Sequence, residues 1–147
     1  MTGPNGDLTL REVSDRLRIH DLLTEYAAAV DGRDWDRLRT VFAKDAVLDY
    51  SVFGGPRGSV DEAIEWMAKA LQRVEMTQHL ITNVVVHLGS DTAEVRSLVF
   101  NPLGTNEQVF LVGGSYRDVV ERDDDGWRIA ERVAEFTWSD RPIRPAT

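Results

Sequence analysis

The apolar pattern of this chain changes at about Met76, and that change constrains the fold more than any other feature. Before it, apolar residues recur at the three- and four-residue spacing of amphipathic helices. After it, the segments 77–88, 92–102, 107–121 and 126–138 are rich in Val, Thr, Phe, Tyr and Trp, as strands are. Short polar turns separate these segments, which predicts antiparallel hairpins. Helices followed by a strand meander predict an α+β domain of two layers.

Three helices are predicted ahead of the meander, and a short strand at 46–51 interrupts them. Thr9 begins a capping-box pattern for the first helix, and Gly32 is a suitable end for it. Asp34 is the expected cap of a short second helix, and Ser59 begins a second capping-box pattern for the third. The apolar face predicted for the second helix consists of Trp35, Leu38, Val41 and Phe42.

Length and composition limit the classes of protein that this chain can belong to. Its 147 residues suit one domain, expected over residues 9–140 with a disordered lead at 1–8 and a tail at 141–147. A net charge of −8 disfavours binding to nucleic acid or to an anionic membrane surface. There are no cysteines, and the N-terminus does not have the pattern of a secretory signal. We therefore expect a soluble, cytoplasmic protein.

Three side chains of complementary chemistry stand out within this pattern. Tyr26 and Asp31 lie near the end of the first predicted helix, and His79 opens the first long strand. A fold that packs helix onto sheet can bring this phenol, acid and base into one pocket.

Four segments give the chain its resemblance to a known family: Ile19–Asp36, Ala46–Tyr50, Thr77–Asn83 and Gly126–Asp140. They resemble the SnoaL-like branch of the NTF2-like superfamily. The resemblance implies an NTF2-like cone, with three N-terminal helices packed on a strongly curved, mainly antiparallel sheet. The interior of such a cone is a natural cavity for a small hydrophobic ligand, polycyclic or aromatic. Long strands such as 107–121 would leave an exposed edge or face, so we expect association through the sheet, and the resemblance allows either a homodimer or a homotrimer.

The resemblance extends to a set of catalytic residues. The set of the bile-acid 7α-dehydratase and scytalone dehydratase group is matched by Tyr26, Asp31, Tyr50 and His79. The Asp31–His79 pair also resembles the dyad of the lindane dehydrochlorinase, which has a lysine where this chain has Tyr26. The bile-acid enzyme uses an arginine near its C-terminus, for which Arg141 and Arg144 are the candidates.

These residue types suit the elimination of water without a metal or an organic cofactor. The imidazole of His79 can accept a proton near neutral pH, and Asp31 can hold its tautomer and stabilise the imidazolium. Tyr26 and Tyr50 can donate hydrogen bonds to a carbonyl oxygen or to a departing hydroxyl group. The side chains expected to line the substrate cavity are Phe53, Trp66, Phe100, Asn101, Phe110 and Phe136.

Two other functions remain open at the level of sequence. In a ketosteroid-isomerase-like isomerase or a polyketide cyclase, Asp31 would carry the proton and His79 would be secondary. In a non-catalytic small-molecule binding module, ligand affinity would survive the loss of both residues. Each of the four reactive side chains also has an ordinary structural role open to it, such as core packing for Tyr26 or a helix-end hydrogen bond for Asp31.

Overall fold

Three helices form one layer of the protein in the computed structural model, which describes residues 6–141. The helices are Leu10–Asp31 (α1), Trp35–Val41 (α2) and Val60–Ala70 (α3). Both predicted capping boxes are present, since Thr9 and Ser59 each exchange hydrogen bonds with a glutamate three residues later. The Asp34 side chain accepts a hydrogen bond from the backbone N–H of Arg37 and so caps α2 as predicted.

Within residues 6–141, seven strands form a single mixed sheet that makes the second layer. They are Phe42–Asp49 (β1), Arg57–Gly58 (β2), Met76–Thr77 (β3), Leu80–Leu88 (β4), Thr92–Gly104 (β5), Val109–Asp123 (β6) and Gly126–Ser139 (β7). The order is β2-β1-β7-β6-β5-β3, and β4 also pairs with β5. Every pairing is antiparallel except β1 with β7, which is parallel. The predicted α+β class, the meander of long strands and the mainly antiparallel sheet are confirmed.

The sheet is strongly curled around the helices, as the cone requires. Its register shifts twice where β6 pairs with β7, between Gly113 and Gly114 and between Val119 and Val120. A further shift interrupts β4 between Thr82 and Val85. Because an extra residue on one strand bends that strand and increases its twist, these shifts help long strands to curl into half a barrel.

The core lies between the helices and the concave face of the sheet. Along β5 the buried residues alternate with exposed ones, and Ala93, Val95, Ser97 and Val99 face inward. From α1, residues at helical spacing meet this face, and Ile19, Leu23 and Tyr26 are almost completely buried.

The N-terminal half of α1 is attached to the sheet by a polar cluster. The Asp15 carboxylate, which is buried, accepts hydrogen bonds from both terminal nitrogens of Arg122 at 2.8 Å. It also accepts one from Trp127 Nε1 at 3.2 Å, and the Arg122 guanidinium lies 4.4 Å above the Trp127 ring. We call Asp15, Arg122 and Trp127 the far-end cluster, because they lie at the opposite end of α1 from Asp31.

Several predicted boundaries were wrong in informative ways. Phe42 opens β1 and does not extend the apolar face of α2, because the chain turns extended there and pairs with β7. The strand predicted at 46–51 begins four residues earlier and ends at Asp49. The loop predicted after it contains the two-residue strand β2, which pairs with β1.

The strand predicted over 77–88 is broken at Gln78 and His79, which lie between β3 and β4. His79 therefore does not lie within a strand. Part of the predicted lead, residues 1–5, and part of the predicted tail, residues 142–147, lie outside the described residues. Among residues 6–141, no helix combines the length and apolarity that a membrane crossing needs.

Candidate active site

A cavity of about 470 Å³ lies between the helices and the curled sheet. Most of its lining is apolar, and its residues come from α1, α3 and strands β5 to β7 as well as from the connections between them. The polar and charged side chains that line it are Tyr26, Tyr50, His79, Asn101, Tyr116, Ser139 and Arg141. Its size suits one small organic molecule.

Asp31 and His79 form a close pair at the wall of this cavity. Asp31 Oδ1 lies 2.6 Å from His79 Nδ1, and Asp31 Oδ2 accepts a hydrogen bond of 2.8 Å from the His79 backbone N–H. Both carboxylate oxygens are therefore engaged by one residue. Nε2 of the same ring has no hydrogen-bond partner within the part of the chain described here. His79 lines the cavity, and Nε2 is the ring nitrogen that Asp31 does not engage.

The position of Asp31 on its helix makes a purely structural role less favourable. Asp31 is the last residue of α1, and that last turn contains no basic residue. A carboxylate at a helix C-terminus is repelled by the partial negative charge of the free carbonyl groups there. The side chain makes its hydrogen bonds to His79 and not to helix-end amides, so the position is better explained by the histidine than by the helix.

Tyr26 and Tyr50 bring two phenol groups together in the same cavity. Their hydroxyl oxygens are 3.0 Å apart, and both side chains are buried. The edge of the Tyr26 ring also faces the His79 ring, with centroids 6.3 Å apart. Burial raises the pKa of Tyr26 and that of Tyr50 well above the ordinary value. Both phenols therefore remain protonated and act as hydrogen-bond donors.

A buried ion pair beneath the phenols was missed by the sequence analysis. Arg132 is fully buried, and its Nε and Nη2 donate hydrogen bonds of 2.8 and 2.7 Å to Asp118. Its guanidinium is held between two aromatic rings, 4.1 Å from the Tyr26 centroid and 3.9 Å from that of Tyr116. Its Nη1 has no hydrogen-bond partner among residues 6–141. Burial of Tyr116 raises the pKa of its phenol as well.

Arg132 remains a charged guanidinium behind the phenols, and the Asp118 carboxylate balances its charge. Burial alone acts to lower the pKa of the guanidinium, but the adjacent Asp118 carboxylate outweighs it and holds that pKa well above the ordinary value. Burial raises the pKa of the Tyr26 phenol, and the charge of Arg132 opposes this rise. The sequence could have indicated this ion pair through the alternation of inward and outward residues along the two strands, which places Asp118 and Arg132 among inward-facing apolar residues. That indication depends on the register of β6 and β7.

The segment after β1 places Tyr50 against α3. The Tyr50 ring stacks on Trp66 with centroids 5.5 Å apart, and a 3₁₀ turn at Ser51–Phe53 follows. Gly54 takes a left-handed conformation with φ of 80°. A Cβ atom at Gly55 would lie 2.8 Å from the Trp66 ring and 2.9 Å from Tyr50 Cβ, so only glycine fits between these two side chains.

Four of the six predicted lining residues lie at the cavity: Phe53, Trp66, Asn101 and Phe110. Phe100 and Phe136 do not line it. Phe100 lies on the outer face of the sheet, where it stacks on Trp138, because it follows the inward-facing Val99 by one position. Phe136 is 43% exposed and meets the cavity residue Phe53 only edge to face.

Arg141 is the candidate C-terminal arginine that lies at the cavity, with its guanidinium 5.8 Å from the centroid of the Phe110 ring. Arg144 lies outside the described residues. Within residues 6–141, no three His, Cys, Asp or Glu side chains come together as a metal site would require.

The fold and the cavity define a class: a helix-covered, curled sheet that encloses a cavity. A sequence profile described as a SnoaL-like domain matches residues 11–133, and the chain belongs to this family. An uncharacterized protein of Mycobacterium tuberculosis is 39% identical over 129 residues, which are 86% of this chain and 88% of that protein.

Solved structures share the fold over most of their length. A protein of Novosphingobium aromaticivorans, provisionally named an aromatic ring hydroxylase, is 31% identical with a TM-score of 0.78, covering 86% of this chain and 91% of that one. A second protein of this organism, provisionally named a scytalone dehydratase, has a TM-score of 0.78 at 20% identity, covering 90% and 91%. A hexachlorocyclohexane dehydrochlorinase has a TM-score of 0.76 at 22% identity, covering 88% and 90%. The last two likenesses establish the fold alone.

Proposed function

We propose that this protein is a lyase of the dehydratase type, which eliminates water from a hydrophobic cyclic hydroxy-carbonyl compound by means of its own side chains. The observation that carries the proposal is the orientation of His79. Its Nδ1 is held by Asp31 at 2.6 Å, while the rest of the ring lines the same cavity as the Tyr26–Tyr50 hydroxyl pair. Base and donors thus meet around one ligand volume.

The reaction assigns a role to each of these groups. Neutral His79 removes a proton from the carbon next to the carbonyl group through Nε2, and Asp31 stabilises the imidazolium that forms. A phenol hydroxyl donates to the carbonyl oxygen, where negative charge develops. The carbon–oxygen bond at the neighbouring carbon then breaks, and the departing hydroxide takes the proton from the imidazolium. The products are a conjugated carbonyl compound and water, and His79 is again neutral.

The lining of the cavity indicates the substrate class. Phe53, Trp66 and Phe110 present aromatic surface, and Val99 and Leu103 present aliphatic surface. Such walls favour a flat apolar ring system over a sugar or a nucleotide. The name of the relative from Novosphingobium points to an aromatic compound, which suits the same walls.

The contacts of Asp31 favour the dehydratase over an isomerase or cyclase in which this acid carries the proton. Both of its oxygens are occupied by hydrogen bonds to His79. A carboxylate that must take a proton from a substrate needs an oxygen directed at that substrate. The side chain of Asp31 lies behind the histidine and is not part of the cavity lining.

A panel of cyclic β-hydroxy ketones, with one, two and three fused rings, tests the proposal. Elimination produces a conjugated enone, whose ultraviolet absorbance reports turnover directly. The variant His79→Ala should lose activity by about 10²- to 10⁴-fold, as removal of a general base does. The matched control is His87→Ala, because His87 is exposed on the adjoining strand β4.

Three results would decide against the dehydratase. Turnover that survives in His79→Ala but disappears in Asp31→Ala would favour the isomerase or cyclase. Tight binding of a panel member without turnover, unchanged in both variants, would favour the binding module. An equal loss in His87→Ala would show that the effect does not come from the cavity.

A further inference from the structure

The peptide bond that joins Gln78 to His79 is held on both sides by side chains. Its N–H, from His79, donates a hydrogen bond of 2.8 Å to Asp31 Oδ2. Its carbonyl group, from Gln78, accepts a hydrogen bond of 3.0 Å from Asn101 Nδ2. This peptide lies in the break between β3 and β4, where no regular ladder fixes its orientation. Asp31 and Asn101 therefore determine together how the backbone presents His79.

The neighbour of Asn101 explains why a side chain is needed at this point. The Gln78 N–H donates a hydrogen bond of 3.0 Å to the carbonyl oxygen of Pro102. In a regular antiparallel pair the residue opposite would return a second bond, from its own N–H to the Gln78 carbonyl group. Proline has no N–H, so Pro102 cannot return it. The amide of Asn101 supplies the missing donor.

The geometry of Asn101 fixes which end of its amide does this. Nδ2 also lies 2.9 Å from Thr77 Oγ1 and 3.3 Å from the Pro102 carbonyl oxygen. Oxygen atoms thus surround the NH₂ group, and an amide turned the other way would set its oxygen against carbonyl oxygens. The amide oxygen accepts no hydrogen bond from the described residues, and the side chain lines the cavity.

We propose that Asn101 is a positioning residue for His79: it replaces the backbone donor that Pro102 lacks, and so holds the Gln78–His79 peptide in the orientation that brings His79 onto Asp31. The inference rests on the proposed function for its catalytic meaning, since His79 is the base there. Its structural content can be tested without any substrate. Without the Asn101 bond the peptide is free to rotate, and both contacts between His79 and Asp31 weaken.

The test is nuclear magnetic resonance of the full chain, with the His79 backbone amide and ring as reporters. In the wild-type protein that amide should exchange slowly, and the ring Nδ1–H should give a low-field proton signal from its short hydrogen bond. In Asn101→Ala we expect exchange at His79 to be faster by about tenfold, the effect of losing one hydrogen bond. The low-field signal should weaken or disappear, whereas the buried Val86 amide on β4 should keep its exchange rate.

A rescue variant distinguishes this role from general support of the sheet edge. In the double variant Asn101→Ala with Pro102→Ala, residue 102 regains a backbone N–H that can bond the Gln78 carbonyl group. Exchange at His79 should then return to within about threefold of the wild-type rate, a difference below one hydrogen bond. Thr77→Val removes another acceptor of the Asn101 amide. It should leave the exchange rate of the His79 backbone amide within about twofold of the wild-type rate.

Three outcomes would overturn the inference. His79 signals that are unchanged in Asn101→Ala would show that the peptide is held without it. Failure of the double variant to restore them, or an equal disturbance in Thr77→Val, would mean that Asn101 supports the edge of the sheet and not this peptide. If the signals behave as expected and no hydroxy ketone is turned over, the positioning role stands and the dehydratase proposal fails alone.

Discussion

The two ends of α1 carry the same chemical group in opposite circumstances. At the far end, Asp15 is bonded to Arg122 and Trp127, and three donor nitrogens of these two residues are directed at one buried carboxylate. At the cavity end, Asp31 bonds a single residue, His79, whose ring has a second nitrogen left over. Arginine stays charged at any ordinary pH, whereas histidine gains and loses a proton near neutrality.

Under the proposed function, one helix serves both stability and chemistry. In the far-end cluster the Asp15 carboxylate is held by an arginine that keeps its proton at ordinary pH, so the cluster can anchor α1 but is not suited to transfer a proton. In the Asp31–His79 pair one ring nitrogen of His79 is left without a partner among the described residues, and His79 lines the cavity, so under the proposed function this pair transfers a proton. We therefore expect substitutions at the far end to change the free energy of unfolding, and substitutions at the cavity end to change turnover.

The largest effect is expected for Asp31→Ala. Turnover of the hydroxy ketone identified from the panel should fall by about 10²- to 10⁴-fold, because the imidazolium loses its counter-ion and its orientation. The free energy of unfolding should change by less than about 1 kcal/mol, since the carboxylate is partly exposed and its position at the helix end is unfavourable. Rate measurements and chemical denaturation of the same sample give both numbers. A loss of several kcal/mol would make Asp31 a structural anchor like Asp15.

The next effect is expected for Tyr26→Phe. Removing this hydroxyl takes one donor from the cavity and should lower kcat by about 10²-fold, as loss of an oxyanion donor does. Steady-state kinetics with KM and kcat measured separately checks this. A change confined to KM would assign Tyr26 to binding, since a donor that acts in the transition state lowers kcat.

Asp15→Ala should lower the free energy of unfolding by about 2 kcal/mol, because charge-assisted hydrogen bonds to a buried carboxylate are lost. Turnover should stay within about twofold of the wild-type value, because the far-end cluster lies apart from the cavity lining. Chemical denaturation and the panel assay measure the two quantities. Asp21→Ala is the matched control, since Asp21 is exposed on the same helix.

The smallest effect is a change in the acid dependence of stability. The hydrogen bonds from Arg122 hold the pKa of Asp15 below its ordinary value. A group whose pKa is lower in the folded state stabilises the protein above its unfolded pKa of about 4 and loses that contribution as pH falls. The free energy of unfolding of Asp15→Asn, measured by thermal unfolding, should therefore be about 1 kcal/mol lower than that of the wild-type protein at pH 7. The two values should approach each other in acid. Parallel curves at every pH would show that the charge of Asp15 contributes nothing.

The fold was largely predictable because its signals are local. The capping boxes at Thr9 and Ser59 and the change in apolar pattern at Met76 depend on residues close in sequence, and each corresponds to an element that formed. The boundaries that were wrong depend on distant partners. Phe42 is extended because β7 lies beside it, and no pattern near Phe42 contains that information.

The candidate site was predictable in part, from three side chains of complementary chemistry and from the resemblance. Asp31, His79, Tyr26 and Tyr50 do come together, but their roles remain a proposal. Phe100 and Phe136 were misplaced, because the direction of a strand side chain changes with a register shift of one residue. The most consequential omissions, Asp118 and Arg132, face each other across β6 and β7. Their inward orientation depends on the register of that strand pair.

The parallel pairing of β1 with β7 has a consequence for the order in which the protein assembles. β1 has a short partner close in sequence, β2, but Phe42 pairs with Ile129, so β1 gains its parallel neighbour only after Ile129 has been synthesised. Closing so long a loop is entropically costly and tends to come late in folding. Tyr50 follows directly on β1. Among the described residues, β1 and β2 join the rest of the sheet through β7, so a chain that stops short of β7 would lack this connection for the strand that leads into Tyr50.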